Sequence, residues 1–518
     1  MTVLQPGLFK YGWASLRVND EDQMADDFFG FLENLIKVFP SLSTRPLYLT
    51  GESYAGTYIP YITKGYFERT NPPVNLTKIS IGDGAIGSFI EFELLPVVTV
   101  IETYPQLIAY DPDVYQYFKE QSHLCGYDLN LTYPQNGHFP TLNPPHLDDI
   151  FLKRETRVQK KSLLKEVFRA DAQMTRRGLH KRELPSVLEK RAEWKRDLSG
   201  RANGTIDPWY GCDLYDEVID YALNFSFPWM GHDDTGFDVY NIPDALEPEA
   251  PMDATVFLNG KSRYNTTRAA IHAPTSKNWQ ESIFYPFGSK SGGQDPSVEP
   301  MAFLSDLATN CTAHGIDVLI LSGNDDSLVS HISSEIVIQN TTFGGIQGFT
   351  RKPSTPWIDD DGQFAGIVHQ ERNWTYILVE GAGHLIPQTQ PGRAFVIARE
   401  FIFGNNQTGL VTNSSGAVSV VGGENATLAA EVLPGQLEIF VGSGTTQSTY
   451  TFPSATVAAW DTFLFAETAN ATVTASATGT GAGGPTQSPG ATQSGAERVR
   501  YSVLVLVSCA FLAAMQVL

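Results

Sequence analysis

The chain has 518 residues, 42% hydrophobic and 11% aromatic, which is enough to bury a large core and excludes wholesale disorder. A formal net charge of −21 makes nucleic acid and anionic membrane surfaces poor default partners. Four cysteines, none in a Cys-x-x-Cys pair, exclude a disulfide scaffold and supply no zinc or redox motif.

In chain order, Met24, Phe28, Leu32, Leu35 and Ile36 recur at helical spacing and predict a helix over 22–40. Pro46 to Thr50 is a short apolar run that suits a buried strand. Gly51–Gly56 forms a turn, and Thr57 to Glu68 continues as a helix. Lys78 to Gly82 predicts a second strand, ending in Gly82-Asp83-Gly84. Residues 105–255 lose this alternation and read as loop-rich. Alternation returns with Ile316 to Leu321, a near-continuous apolar run typical of a parallel strand covered on both faces. Trp374 to Glu380 is a further strand, followed by Gly-Ala-Gly-His and a helix from Pro391 to Phe403. Strand, turn and helix in repetition argue for an α/β fold with a mostly parallel sheet.

The charge is unevenly spread. Lys153 to Arg201 carries sixteen Lys or Arg against seven Asp or Glu, a local +9 that leaves −30 for the remainder. Six dibasic pairs lie in this stretch, from Lys153-Arg154 to Lys195-Arg196. It is read as a linker excised by a kexin-like processing protease, with a solvated charge run as the plainer alternative. Cys125 and Cys212 flank it, and a bridge between them would hold the two resulting chains together. Twelve Asn-x-Ser/Thr sites, from Asn75 to Asn470, point to a glycosylated surface and the secretory route.

Residues 409–470 read as a β-rich extension and 471–500 as a Ser/Thr/Gly-rich linker. Tyr501 to Leu518 form an uncharged apolar tail, the pattern of a GPI-anchor signal; a tail-anchored helix is the alternative. The opening MTVLQPGLFKYGWAS has no basic region followed by an apolar run, so it is not a signal peptide. An anchor signal works only on a chain entering the secretory pathway, so the expected start lies upstream. The domain reading is therefore 1–105 and 256–408 as two parts of one core, 106–255 as an insertion, then extension, linker and tail.

Gly51-Glu52-Ser53-Tyr54-Ala55-Gly56 sits between a predicted strand and helix, where a serine on a sharp turn is a nucleophile elbow. Alone the pattern is weak, since a glycine turn closing a βα unit looks the same. Asp325-Asp326 then follows the 316–321 strand, and His384 follows the 374–380 strand. Ser, Asp, His is the order of the α/β hydrolases, with each group just past a strand's carboxyl end. A serine hydroxyl needs a base, which His384 supplies while an acid fixes its tautomer.

At these residues the chain resembles the serine carboxypeptidases. GESYAG, VLILSGNDD and GAGHLIPQTQP look like three signature segments of that family, and RAAIHAPTSKNW is similar to a stretch late in its cap. The resemblance runs from about residue 3 to 405 and extends to GPI-anchored fungal secreted members. It implies an α/β-hydrolase core with an inserted cap, no metal or cofactor, an acidic pH optimum, and removal of C-terminal residues from peptides or proteins. By resemblance Ser53 is the nucleophile, His384 the base and Asp326, rather than Asp325, the orienting acid. Tyr54 would give one oxyanion-hole N–H, and Glu52 would hydrogen-bond the substrate's terminal carboxylate while protonated.

The chain departs from the family in three ways. It lacks the family's early Asn-Gly-Gly-Pro-Gly segment, which implies an N-terminally clipped core with half an oxyanion hole. Asn324 stands where an acid is usual, and Val329 and His331 alter the following loop. Two rivals remain open: an acyltransferase or esterase with the same triad, and a non-catalytic surface protein that keeps the fold.

Overall fold

In a computed structural model of the chain, the described residues are 18–145, 204–207, 210–230, 237–245, 263–270, 272–273, 295–404, 424–430, 432–442 and 446–478. The basic segment 153–201, most of RAAIHAPTSKNW and the tail 501–518 lie outside them.

A six-stranded sheet organises the rest. Strands β1 (Pro46–Glu52), β2 (Asn75–Gly82), β3 (Asp317–Gly323) and β8 (Trp374–Val379) run parallel in that spatial order. Beyond β8 the antiparallel strands β7 (Phe364–Glu371) and β6 (Thr355–Ile358) complete it. A short hairpin pairs β4 (Thr342–Phe343) with β5 (Ile346–Gln347). The sheet is mostly parallel, as its sequence implied. Strands β6 and β7 had no sequence prediction, because a glycine-broken run such as FAGIVHQE carries no clear period-2 pattern.

Alternation along β3 shows why the sheet is buried on both faces. Val318 and Ile320 join one core with Ile59, Ile79, Ile81 and Leu378. Leu319 joins the opposite core with Ile377, Val379, Val396 and Phe401. All six residues of β8 are buried, whereas no residue of β1 is, so β1 is an edge strand among the described residues. The helix Glu21–Val38 starts at Asp20, whose carboxylate accepts from Gln23 N at 2.8 Å. Acids in its first turn and Lys37 in its last suit the helix dipole. Its Met24, Phe29 and Leu32 pack on Tyr61 and Ile62 of the helix Ala55–Glu68.

The described part of the insertion is largely loop, as expected, but it also holds two α-helices that the sequence reading did not predict. Helices Pro112–Leu124 and Leu214–Phe225 carry buried faces spaced three and four apart, such as Leu214, Val218, Tyr221, Ala222 and Phe225. A disulfide joins their ends, Cys125 to Cys212, with Cα atoms 5.7 Å apart. Cys311 is free and buried.

The extension also differs from the expected run of short strands. Among the described residues it holds a short helix, Ala426–Ala430, one hairpin, β9 (Glu438–Val441) with β10 (Ser448–Thr451), and then a helix, Ser454–Thr478, that reaches into the predicted linker. Alanine and other residues free of proline and glycine make that helix possible after Pro453. The chain divides into a large unit, 1–461, and a small one, 462–518. Among the described residues no helix is long and apolar enough to cross a membrane.

Candidate active site

Ser53 sits immediately after β1, at the start of the helix Ala55–Glu68, with φ 61°. A side chain held in left-handed backbone is strained, and such strain clusters at functional turns. Three hydrogen bonds hold the turn: Ser53 N donates to Gly82 O at 2.9 Å, while Ser53 O accepts from Gly56 N at 2.9 Å and Ala85 N at 3.1 Å. The flanking glycines are sterically required. A Cβ at Gly51 would lie 2.4 Å from Ala55 Cβ, and one at Gly56 would lie 2.6 Å from Ala85 N.

Tyr54 follows at the mouth of the helix. None of the turn's backbone hydrogen bonds uses its N–H. Its hydroxyl donates to Asp295 Oδ2 at 2.8 Å, which ties the elbow to segment 295–300.

Asp326 and His384 are brought together from the loops after β3 and β8. His384 Nδ1 lies 2.6 Å from Asp326 Oδ2, and both side chains are buried. Asp326 Oδ1 accepts from Leu328 N at 2.8 Å and Val329 N at 3.2 Å, so both carboxylate oxygens are used. This geometry fixes Nδ1–H on the acid and leaves Nε2 as the ring's free base. Among the described residues Nε2 has no hydrogen-bond partner, so a Ser53–His384 bond is not made here. In unliganded sites that bond is often long. Asp325, the other acid in the loop, points away: its Oδ2 accepts from Gln436 Nε2 at 2.7 Å.

Burial draws the His384 imidazole pKa down. Asp326, with smaller help from Glu52 and Asp238, outweighs that and raises it. Burial pushes Glu52 up to about 7, against the opposing pull of His384 and with a further push from Asp326. Glu52 therefore lies within electrostatic reach of His384 and Asp326.

Sequence reasoning did not single out two groups at this edge. Asp83, at the end of β2, is fully buried with φ 42°, and its Oδ1 accepts from Gly323 N at 2.8 Å. Burial and the nearby Asp326 hold its carboxyl pKa well above normal. The glycines beside it, and its place at a strand's carboxyl end, were the available signal. Segment 238–245 was the second miss, and no local pattern marks it. Tyr240 O accepts His384 N at 2.7 Å, and its ring stands 5.0 Å from the imidazole.

Comparison with known proteins now gives the class. A profile of the serine carboxypeptidases matches residues 10–121 and 242–404, more than half of the chain, so the chain belongs to the serine carboxypeptidase family. A carboxypeptidase Y homolog of Arthroderma benhamiae is 26% identical over 76% of this chain and 73% of its own length. A probable serine carboxypeptidase of the same fungus is 25% identical, over 76% and 64%. The pheromone-processing carboxypeptidase KEX1 of Ajellomyces capsulatus is 26% identical, over 82% of this chain and 57% of its own. The chain thus spans between about half and three quarters of these relatives. Among solved structures, a prohormone-processing carboxypeptidase of Saccharomyces cerevisiae, Kex1(Δ)p, is 18% identical, with TM-score 0.43 over 76% of this chain and 70% of its own.

Proposed function

We propose that the chain is a serine-type carboxypeptidase that releases C-terminal amino acids from peptides through an acyl-enzyme. The observation that carries this reading is the buried Asp326–His384 hydrogen bond at the same sheet edge as the strained Ser53 elbow. In the reaction, Ser53 Oγ attacks the carbonyl carbon of the last peptide bond while its proton passes to His384 Nε2. The carbonyl oxygen becomes an oxyanion that accepts from Tyr54 N–H. His384 then gives its proton to the departing amine, and the C–N bond breaks. Water attacks the remaining ester, again losing a proton to His384, and Ser53 recovers its own. Glu52, neutral below a pH of about 7, donates a hydrogen bond to the substrate's terminal carboxylate.

Fluorophosphonate labelling of the natural protein tests the reading, with Ser53→Ala as control. A folded, disulfide-intact protein that takes no label would sink it. The unmade Ser53–His384 bond is the observation that a non-catalytic reading would rest on.

The Cys125–Cys212 disulfide fits the oxidising secretory route. We read 153–201 as a linker removed by a kexin-like protease and 501–518 as a GPI signal. Two chains on a reducing gel, and release of cell-surface activity by phosphatidylinositol-specific phospholipase C, are the expected results. A single chain would remove the first claim, and activity that stays membrane-bound would remove the second.

A further inference from the structure

The family profile ends at residue 404, yet a segment well beyond it, residues 432–442, is bonded to the loops that carry the acid–base pair. We infer that this segment is a strap that positions Asp326 and His384, with Asn324 and Gln436 as its two positioning residues. The inference rests on the reading of Ser53, Asp326 and His384 as a triad.

The strap reaches Asp326 first. Asn324 and Asp325, the two residues before it, are buried. Asn324 Nδ2 donates to Leu433 O at 3.2 Å and to Pro434 O at 3.1 Å. Gln436 Nε2 donates to Asp325 Oδ2 at 2.7 Å. An amide meets the first demand and an ionised carboxylate does not, because two carbonyl oxygens converge on one group and the carboxylate has no proton to give either. Backbone bonds also run from Asn324 N to Val379 O and from Asp325 N to Ala382 O, toward the chain that leads to His384, and Asp325 O accepts from Ile242 N at 3.0 Å.

The strap also reaches His384, by a separate route. Phe440 N donates to Pro243 O at 2.7 Å, and Ala245 N donates to Phe440 O at 3.1 Å, so strap and segment 238–245 run as a short parallel bridge. That segment supplies the Tyr240 carbonyl that holds His384 N, and Val239 O, which accepts from Ser327 N and Leu328 N just past Asp326. One piece of chain is thereby bonded to the supports of both partners.

The strap is itself firmly seated. Leu433 packs in the central core and Ile439 is fully buried. Gly435 N donates to Thr103 O at 2.9 Å, Gln436 N donates to Tyr104 OH at 3.1 Å, and Gln106 Nε2 donates to Gln436 O at 3.0 Å. Its register against the core is therefore fixed at several points, which a positioning element needs.

Two isosteric variants of the natural protein test the inference. Asn324→Asp keeps the shape and removes both donors, while Gln436→Met removes the donor to Asp325. Each is read by kcat and KM across pH and by the far-downfield proton resonance of the His384 Nδ1–H. The expected result is a fall in kcat of about 10- to 100-fold with KM changed by less than about threefold, since misplacing a catalytic group by about 1 Å costs that much. The resonance should shift or broaden in both variants. In Asn324→Asp the loss should shrink as pH falls, because the introduced carboxyl group, once protonated, can again donate one hydrogen bond. A structural role alone would move thermal stability without that pH-dependent rescue.

Unchanged kcat together with an unchanged resonance in either variant would overturn the inference. If the natural protein hydrolyses no peptide, the functional reading fails. The resonance still decides the strap: unmoved in the variants it refutes the inference, and moved it sustains the coupling to the pair.

Discussion

Glu52→Gln separates the two things that a buried acid beside the nucleophile can do, bind substrate and cost stability. Glu52 titrates near 4.5 in an unfolded chain and near 7 here, because burial disfavours its charge. The folded state therefore binds this proton more tightly than the unfolded state does. Stability is unaffected by the group below about pH 4.5, falls as pH rises toward 7, and stays lowered above that. At about 1.4 kcal/mol per pH unit the full loss is up to about 3 kcal/mol. Glutamine keeps the shape and never ionises. Urea unfolding of Glu52→Gln should match the natural protein at about pH 4 and exceed it by up to about 3 kcal/mol at about pH 8. Peptide KM should rise through pH 7 in the natural protein and stay flat in the variant, whose amide donates at every pH. An equal change in stability at both pH values would refute the burial argument, and a KM that still rises in the variant would refute the carboxylate role.

Three further outcomes are expected. Gly56→Ala places a Cβ 2.6 Å from Ala85 N, so it should destabilise by about 1–3 kcal/mol and abolish fluorophosphonate labelling, as thermal melts and gel fluorescence would show. Asp83→Asn keeps the acceptor for Gly323 N, so activity at acidic pH should hold, while alkaline stability should rise because a buried acid no longer has to ionise. Glycopeptide mass spectrometry should find exposed Asn75, Asn130 and Asn310 occupied and Asn224 bare, since Asn224 is buried in a helix with its amide donated to Asp220 O at 2.7 Å.

What the sequence made legible was local. Strands β1, β2, β3 and β8 are short apolar runs closed by glycine, and the elbow's glycines answer to contacts within a few residues or with the next strand's end. Ser53, Asp326 and His384 each follow such a strand, so their gathering at one edge followed from the chain order. The remainder depends on partners far along the chain. Asn324 looks like an arbitrary polar residue until Leu433 and Pro434 are placed against it, 109 and 110 residues later. Tyr240 is unremarkable until its carbonyl meets His384 N. The helices of the insertion escaped because loop-like composition outweighed a buried face that only tertiary packing reveals.

The acids at the site bear on one another in a way that favours acidic conditions. Glu52 and Asp238 both rise to about 7, and Asp83 is held well above its usual range, each mainly through burial and each with a push from the charge on Asp326. A general base must be neutral to take the serine's proton, so the raised His384 is at first sight a handicap at low pH. Part of that rise, however, comes from ionised Glu52 and Asp238. As the pH falls below 7 those groups take up protons, their hold on the imidazolium weakens, and His384 becomes easier to deprotonate. On the proposed function, the same protonation turns Glu52 into the donor that a terminal carboxylate needs. Binding and base strength are thus linked through one proton, and a substrate without a free carboxylate should separate them. With such an ester, Glu52→Gln should carry the acidic limb of kcat to lower pH, and a limb that stays in place would show that Glu52 does not bear on His384.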